Sequence, residues 1–197
     1  MSRRRNALIL GAVISLLVLT NLATYFNATA PSAPQVRDVG ENIEPHYRVQ
    51  AWIIKADGTV IQVADTLNVY TNIGKNWTRN ELGDTATAST NVARHISLSE
   101  SSSTPAATWT ILPTEITTGG CDRNSGTFTA LSGNGSWKIE YTFSVGASFT
   151  IRCTGLHWIA TDNSDNNMIA AAQFSTPATV ASGDSLLVRW SNSVSGS

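Results

Sequence analysis

The sequence predicts an all-β protein, an antiparallel β-sandwich of the jelly-roll or immunoglobulin-like kind with one short helix. Three observations predict it. Apolar and polar residues alternate with a period of two in several stretches, most clearly over Ser136–Ser144, as in strands with one buried face. Clusters of Gly, Ser and Asn separate these stretches at intervals of about 8–15 residues. Only residues 77–82 have a helical pattern, with Asn76 as the candidate N-cap.

The strands follow one another along the chain with turn residues between them. Asp57-Gly58 is a strong hairpin signal between the first two. Phe149, Ile151 and Cys153 are two residues apart, so in a strand their side chains point to the same face. This predicts that Cys153 points into the core. The predicted strands comprise residues 46–55, 60–64, 136–144, a segment around 149–153, 168–174 and 186–194.

The N-terminal 30 residues predict export. Three arginines at 3–5 precede an uncharged apolar stretch over 7–26, about the length that spans a bilayer as a helix. Ala28-Thr29-Ala30 is typical of a signal-peptide cleavage site, so residues 1–30 form either a cleaved signal peptide or a retained hydrophobic anchor helix. In both cases the rest of the chain is expected outside the cell or on its surface. We expect an extended arm over 31–45 and a single domain over 46–197.

The composition excludes two classes of protein. The chain has 197 residues, of which 42% are hydrophobic. This is enough apolar surface to fold, which excludes an intrinsically disordered protein. Only 14% are charged, against about 25% in ordinary soluble proteins. After residue 30 the chain holds 10 Lys and Arg (13 minus the three at 3–5) against 14 Asp and Glu, so no nucleic-acid-binding surface is expected.

Cysteines and sequons agree with an oxidising compartment. Cys121 and Cys153 are the two cysteines, and we expect them to form a disulfide, the alternative being two buried free thiols. Asn76 and Asn134 begin Asn-x-Ser/Thr sequons and are candidate glycosylation sites.

No catalytic motif is present, and we expect neither an enzyme, a cofactor nor a small-molecule substrate. The histidines at 46, 95 and 157 are far apart in sequence, with no metal-binding spacing. The loop after residue 161 is a weak candidate for a calcium-binding site. Oxygen-bearing side chains are dense in it, but the glycine of the EF-hand pattern is missing. Its candidate ligands are Asp162, Ser164, Asp165 and Asn166.

From residue 68 onward, short motifs occur in a definite order, and together they carry a resemblance. They are Thr71-Asn72-Ile73-Gly74, His95-Ile96-Ser97-Leu98-Ser99, Leu112-Pro113-Thr114-Glu115-Ile116, Gly119-Gly120 with Arg123, Trp137 to Phe143, Thr154-Gly155-Leu156 and Ser182-Gly183-Asp184-Ser185-Leu186. This order resembles a loose group of β-sandwich virion and tail-associated structural proteins of phages and prokaryotic viruses. The resemblance implies a structural role and no catalytic residues. The apolar N-terminal segment and Cys121 depart from that group.

The sequence therefore predicts a secreted structural subunit that associates with itself into a pilus-like extracellular filament or a surface array. The arm over 31–45, with Val36, Val39 and Ile43, is the candidate for strand donation to a neighbour. Lysines, which often protect sheet edges from pairing, number only three: Lys55, Lys75 and Lys138. The alternatives are a monomeric surface module, anchored in the membrane by the uncleaved N-terminal helix, that binds a glycan or a protein, and a virion component.

Overall fold

The computed structural model describes residues 44–83, 92–132, 135–162 and 166–195. All of them belong to one compact unit, Asn42–Ser197. The described part of the chain contains ten strands and one helix. In chain order these are β1 (Glu44–Ile54), β2 (Val60–Leu67), β3 (Val69–Tyr70), α1 (Asn72–Gly83), β4 (His95–Ser99), β5 (Asn124–Ser125), β6 (Thr127–Ala130), β7 (Ser136–Ser144), β8 (Phe149–His157), β9 (Met168–Val180) and β10 (Ser185–Ser195).

The strands form two five-stranded sheets. Sheet 1 has the order β2-β1-β10-β7-β6, and sheet 2 has the order β3-β9-β8-β4-β5. Every strand pair is antiparallel. The prediction of a mostly β, antiparallel fold with one short helix is confirmed. The predicted N-terminal hydrophobic helix lies outside the described residues.

One hydrophobic cluster joins the two sheets. Val49 and Trp190 enter it from sheet 1, and Ile96 and Leu156 enter it from sheet 2, all of them buried. The alternation of β7 is confirmed, because Ile139 and the other odd-numbered apolar residues of that strand contact this cluster. One face of each sheet therefore packs against this shared cluster, and we call it the inner face of the sheet.

The first hairpin forms where the sequence predicts it. β1 and β2 pair antiparallel, and Gly58 in the turn has a φ of +86°, which glycine adopts without the steric penalty of a side chain. The start of β1 differs slightly from the predicted domain boundary. Glu44 and Pro45, assigned to the arm, already pair with Ser195 and Val194 of β10.

The helix begins earlier than predicted. The Thr71 hydroxyl accepts a hydrogen bond of 2.9 Å from the Gly74 backbone N–H, which is the bond an N-cap makes. Asn76 therefore lies inside α1, and the prediction that it caps the helix is wrong. A Cβ on Gly74 would come within 2.2 Å of the Ile169 carbonyl oxygen, so glycine allows α1 to pack closely on β9.

Cys153 is buried in a hydrophobic cluster, as predicted, but it does not share the face of Ile151. The register of β8 against β9 shifts between Ile151 and Cys153, and such an irregularity interrupts the two-residue alternation. Ile151 therefore contacts the core between the sheets, whereas Cys153 is buried in a separate cluster with Leu112 and Met168.

Candidate functional site

A groove of about 470 Å³ with apolar walls lies beside β6. Its volume is within the range of small-ligand pockets. Nearly all of its lining is apolar and much of it is aromatic, and the charged member of the described lining is Arg94. The lining residues are Tyr47, Trp77, Val92, Ala93, Arg94, Phe128, Trp137, Ile139 and Leu156. We call this feature the β6 groove.

The groove is a continuation of the inner face of sheet 1. Val49, Trp190, Ile139 and Phe128 stand opposite one another across β1, β10, β7 and β6, and directly opposite residues of antiparallel strands point to the same face. The first three are buried, but Phe128 is 60% exposed. The core-facing surface of sheet 1 therefore extends beyond the part that described residues of sheet 2 cover.

β6 is also an open edge. Among the described residues it pairs with β7 alone, so its other side presents unpaired backbone groups. All four of its residues are exposed, and its sequence Thr-Phe-Thr-Ala has no charge and no proline. β6 is short, which limits pairing with another strand, but it carries neither of two other usual protections, a charge or a proline.

The opposite edge of sheet 1 is formed by β2, which is also apolar. Val60 and Leu67 on this strand are 61% and 71% exposed. Its one charged residue, Asp65, accepts two hydrogen bonds from Arg48 on the adjacent β1. No lysine lies on β2 or β6, in agreement with the lysine-poor composition.

A buried polar atom without a partner lies at the groove. The indole N–H of Trp77, which lines the groove, has no hydrogen-bond partner among the described residues. An unpaired buried donor is destabilising, so this N–H would gain from an occupant with backbone carbonyl groups.

A second constellation is polar and closed. The Arg123 guanidinium makes a two-bond ion pair with the Glu115 carboxylate, at 2.8 and 2.7 Å, with both side chains fully buried. Arg123 Nη1 also donates to Asn167 Oδ1 at 3.0 Å. His157 Nδ1 lies 2.8 Å from that same oxygen, and its Nε2 lies 2.8 Å from Ser97 Oγ. We call this set the buried polar network.

Ser97, His157 and Asn167 have the connectivity of a Ser-His-Asn triad, but their surroundings oppose catalysis. Asn167 Oδ1 only accepts, so His157 carries its proton on Nδ1 and the Ser97 hydroxyl donates to Nε2. Burial, helped by the nearby Arg123 charge, lowers the pKa of His157 to about 3, which makes it a weak base. All three side chains are fully buried, so a substrate cannot reach Ser97.

The predicted disulfide is not formed. Cys121 and Cys153 are free and buried. They are held in different places, because Cys121 belongs to the core between the sheets and Cys153 to the separate cluster beyond β8. Burial raises the pKa of each thiol to about 11, so both stay protonated at neutral pH.

The remaining predicted sites are only partly described. Asn76 is exposed on α1, while Asn134, Ser164, Asp165 and the arm residues Val36, Val39 and Ile43 lie outside the described residues. Asp162 accepts a hydrogen bond from the Arg123 backbone N–H, and the Asn166 backbone N–H donates to the Thr110 carbonyl. Within the described ranges, no three His, Cys, Asp or Glu side chains gather as a metal site would require.

Sequence reasoning missed both constellations. β6 is too short for a recognisable alternation, and the groove depends on which strand becomes the edge of sheet 1. The one sequence feature that could have indicated the groove was Phe128, an apolar residue between two threonines. Glu115 and Arg123 stood in the ordered motifs, but nothing in their spacing indicated a buried pair.

The described residues contain no helix with the length and apolar character needed to cross a bilayer. Comparison with protein-family models, with curated proteins and with solved structures found no match.

Proposed function

We propose that this protein is an exported, non-enzymatic structural subunit that assembles with copies of itself into an extracellular filament or surface array. Its domain would be a β-sandwich of jelly-roll or immunoglobulin-like type. The observation that carries the proposal is the β6 groove, where the inner face of sheet 1 is exposed beside an uncharged, open strand edge.

An edge of this kind favours association. A strand added to β6 would pair its free backbone groups and cover Phe128 and Val92 at once. Burying a phenylalanine side chain from water contributes about 1.5–3 kcal/mol, and Phe128 and Val92 are both mostly exposed. Natural proteins often place charges or proline on such an edge, so an edge without them beside exposed apolar side chains favours an interaction surface.

The buried polar network supports the non-enzymatic part of the proposal. Its Ser97 is sealed from solvent, and its His157 is held neutral. The contacts it makes are those of a structural element, because Arg123 ties Glu115 to the carbonyl of Ile159 and to Asn167. It therefore anchors the loops around sheet 2.

The proposal is tested on the full chain, produced in a host that exports it and collected from outside the cells. Negative-stain electron microscopy and size-exclusion chromatography should show filaments or arrays. Phe128→Asp should abolish them, because a carboxylate cannot be buried in an apolar groove without a large desolvation penalty. A protein that stays monomeric at all concentrations would refute the assembly function.

Leu67→Asp is the matched control for Phe128→Asp. Leu67 is 71% exposed, against 60% for Phe128, and it lies on the opposite edge of the same sheet. If assembly uses the groove, Leu67→Asp should leave the assemblies intact. Equal loss in both variants would show that general surface hydrophobicity, and not the groove, drives association.

A second candidate function is a surface module that binds a glycan. Trp77 and Trp158 are stacked, with ring centroids 6.1 Å apart, at a cavity of about 320 Å³ that polar side chains also border. Aromatic faces with adjacent amides suit sugar rings. Binding to a glycan array that is lost in Trp158→Ala, together with an intact N-terminus on the mature chain, would favour this function. The polar border consists of Asn76, Asn80, Glu81 and Asn166.

A further inference from the structure

We propose that the β6 groove accepts the arm of a second copy of this chain, with Glu41 of the arm placed against Arg94 of the groove. The inference rests on the proposed function and deepens it, since it names the occupant and the contact that selects it.

The arm has a face that suits the groove. In an extended strand alternate residues point the same way, so an arm docked as a strand would present Val39, Glu41 and Ile43 on one face. This face offers two aliphatic side chains with a single carboxylate between them. The groove offers apolar walls and one charged side chain, the exposed Arg94. The two surfaces are therefore complementary in both hydrophobicity and charge.

The backbone of the arm would satisfy what the groove leaves open. The unpaired edge of β6 can exchange hydrogen bonds with any extended segment. The buried Trp77 indole N–H, which has no described partner, borders the same space. A peptide backbone brings carbonyl groups to this position, which a purely apolar ligand would not.

The position of Glu41 in the sequence favours a second copy. Glu41 lies three residues before Glu44, where β1 begins, and three residues span about 10 Å at about 3.3 Å per residue. β1 and β6 are three strand spacings apart in sheet 1, about 14 Å at about 4.8 Å per spacing, so the Glu41 that fills the groove has to come from another copy. Because Ile43 directly precedes β1, the donor domain would lie in contact with the acceptor domain.

Reversing one charge at a time tests the pairing. Arg94→Glu and Glu41→Arg each place like charges in the interface, and we expect each to raise the critical concentration for assembly by about tenfold or more. The double variant, with both charges exchanged, should return it close to that of the wild type. An unchanged critical concentration in all three variants would overturn the inference, but it would not contradict the proposed assembly function.

Mixing the single variants distinguishes a neighbour's arm from the chain's own arm. The reversed arm of Glu41→Arg fits the reversed groove of Arg94→Glu, and the wild-type arm of the latter fits the wild-type groove of the former. A mixture should therefore assemble at concentrations at which neither variant does so alone. Rescue by the double variant without rescue by mixing would show that each arm occupies its own groove, and would overturn the proposal.

Cross-linking tests the contact even if no large assembly forms. Val39→Cys and Phe128→Cys chains, mixed under mild oxidation, should give a disulfide-linked dimer on a non-reducing denaturing gel. The matched control pairs Val39→Cys with Leu67→Cys on the opposite edge and should give at most about a tenth as much dimer. Wild-type chains control for the native thiols, which are buried. Equal yields from both pairs would overturn the proposal independently of the proposed function.

Discussion

The buried polar network and the β6 groove are opposites in how their chemistry is distributed. In the network, a full ion pair and a histidine are sealed from solvent, and each is matched by a partner at hydrogen-bond distance. In the groove, aromatic side chains line an open space next to the β6 edge and the unpaired Trp77 indole N–H. Among the described residues the first arrangement is complete and the second is left open. Folding is therefore the role of the network, and association is the role proposed for the groove.

The largest effect is expected from breaking the ion pair. Arg123→Met removes the guanidinium from the buried ion pair with Glu115, and removing one member of a buried pair costs about 3–5 kcal/mol of unfolding free energy. Urea denaturation followed by tryptophan fluorescence at pH 7 measures this loss. Lys138→Met, which breaks the more exposed pair with Glu140, is the control and should cost about 1 kcal/mol or less. Equal stabilities of the two variants would contradict a structural role for the network.

The second effect is a dependence of stability on pH. The pKa of His157 is about 3 in the folded protein, against 6.5 for an ordinary histidine. Between these values the unfolded chain binds a proton that the folded chain does not, so the unfolding free energy falls as the pH is lowered. The slope from this group is about 1.4 kcal/mol per pH unit. Urea denaturation between pH 7 and pH 4 should show it, and the slope should be smaller by that amount in His157→Gln. Identical slopes in the two proteins would show that His157 is not buried and neutral.

A third effect separates the structural interpretation of Ser97 from a catalytic one. Ser97→Ala removes the hydroxyl that donates to His157 Nε2, which leaves a buried ring nitrogen unpaired at a cost of about 1–3 kcal/mol. Ser144→Ala, at an exposed position of β7, should change the unfolding free energy by less than about 0.5 kcal/mol. A catalytic serine would instead be dispensable for stability, so an unchanged midpoint in Ser97→Ala would reopen the question of an active site.

The same contrast explains what could be predicted from the sequence. Strands of eight or more residues with one buried face, such as β7, show their alternation directly, and the antiparallel fold follows from them. The burial of Cys153 was predicted, but its separation from the face of Ile151 was not, because the register shift depends on pairing with β9, which no local pattern records. The groove was not predicted, since exposure of Phe128 depends on strand order. The network was missed for a similar reason, because Ser97, His157 and Arg123 meet only after both sheets have formed.

The smallest effect on folding is expected at the groove. Phe128 and Ile139 are direct neighbours on one face of sheet 1, but Phe128 is 60% exposed and Ile139 is buried. Ile139→Ala should cost about 2–5 kcal/mol of unfolding free energy. Phe128→Ala should cost less than about 1 kcal/mol and yet weaken assembly, as measured by sedimentation at several concentrations. A Phe128→Ala loss as large as that of Ile139→Ala would mean that Phe128 belongs to the core of its own chain, and that the groove is not a surface kept open for a neighbour.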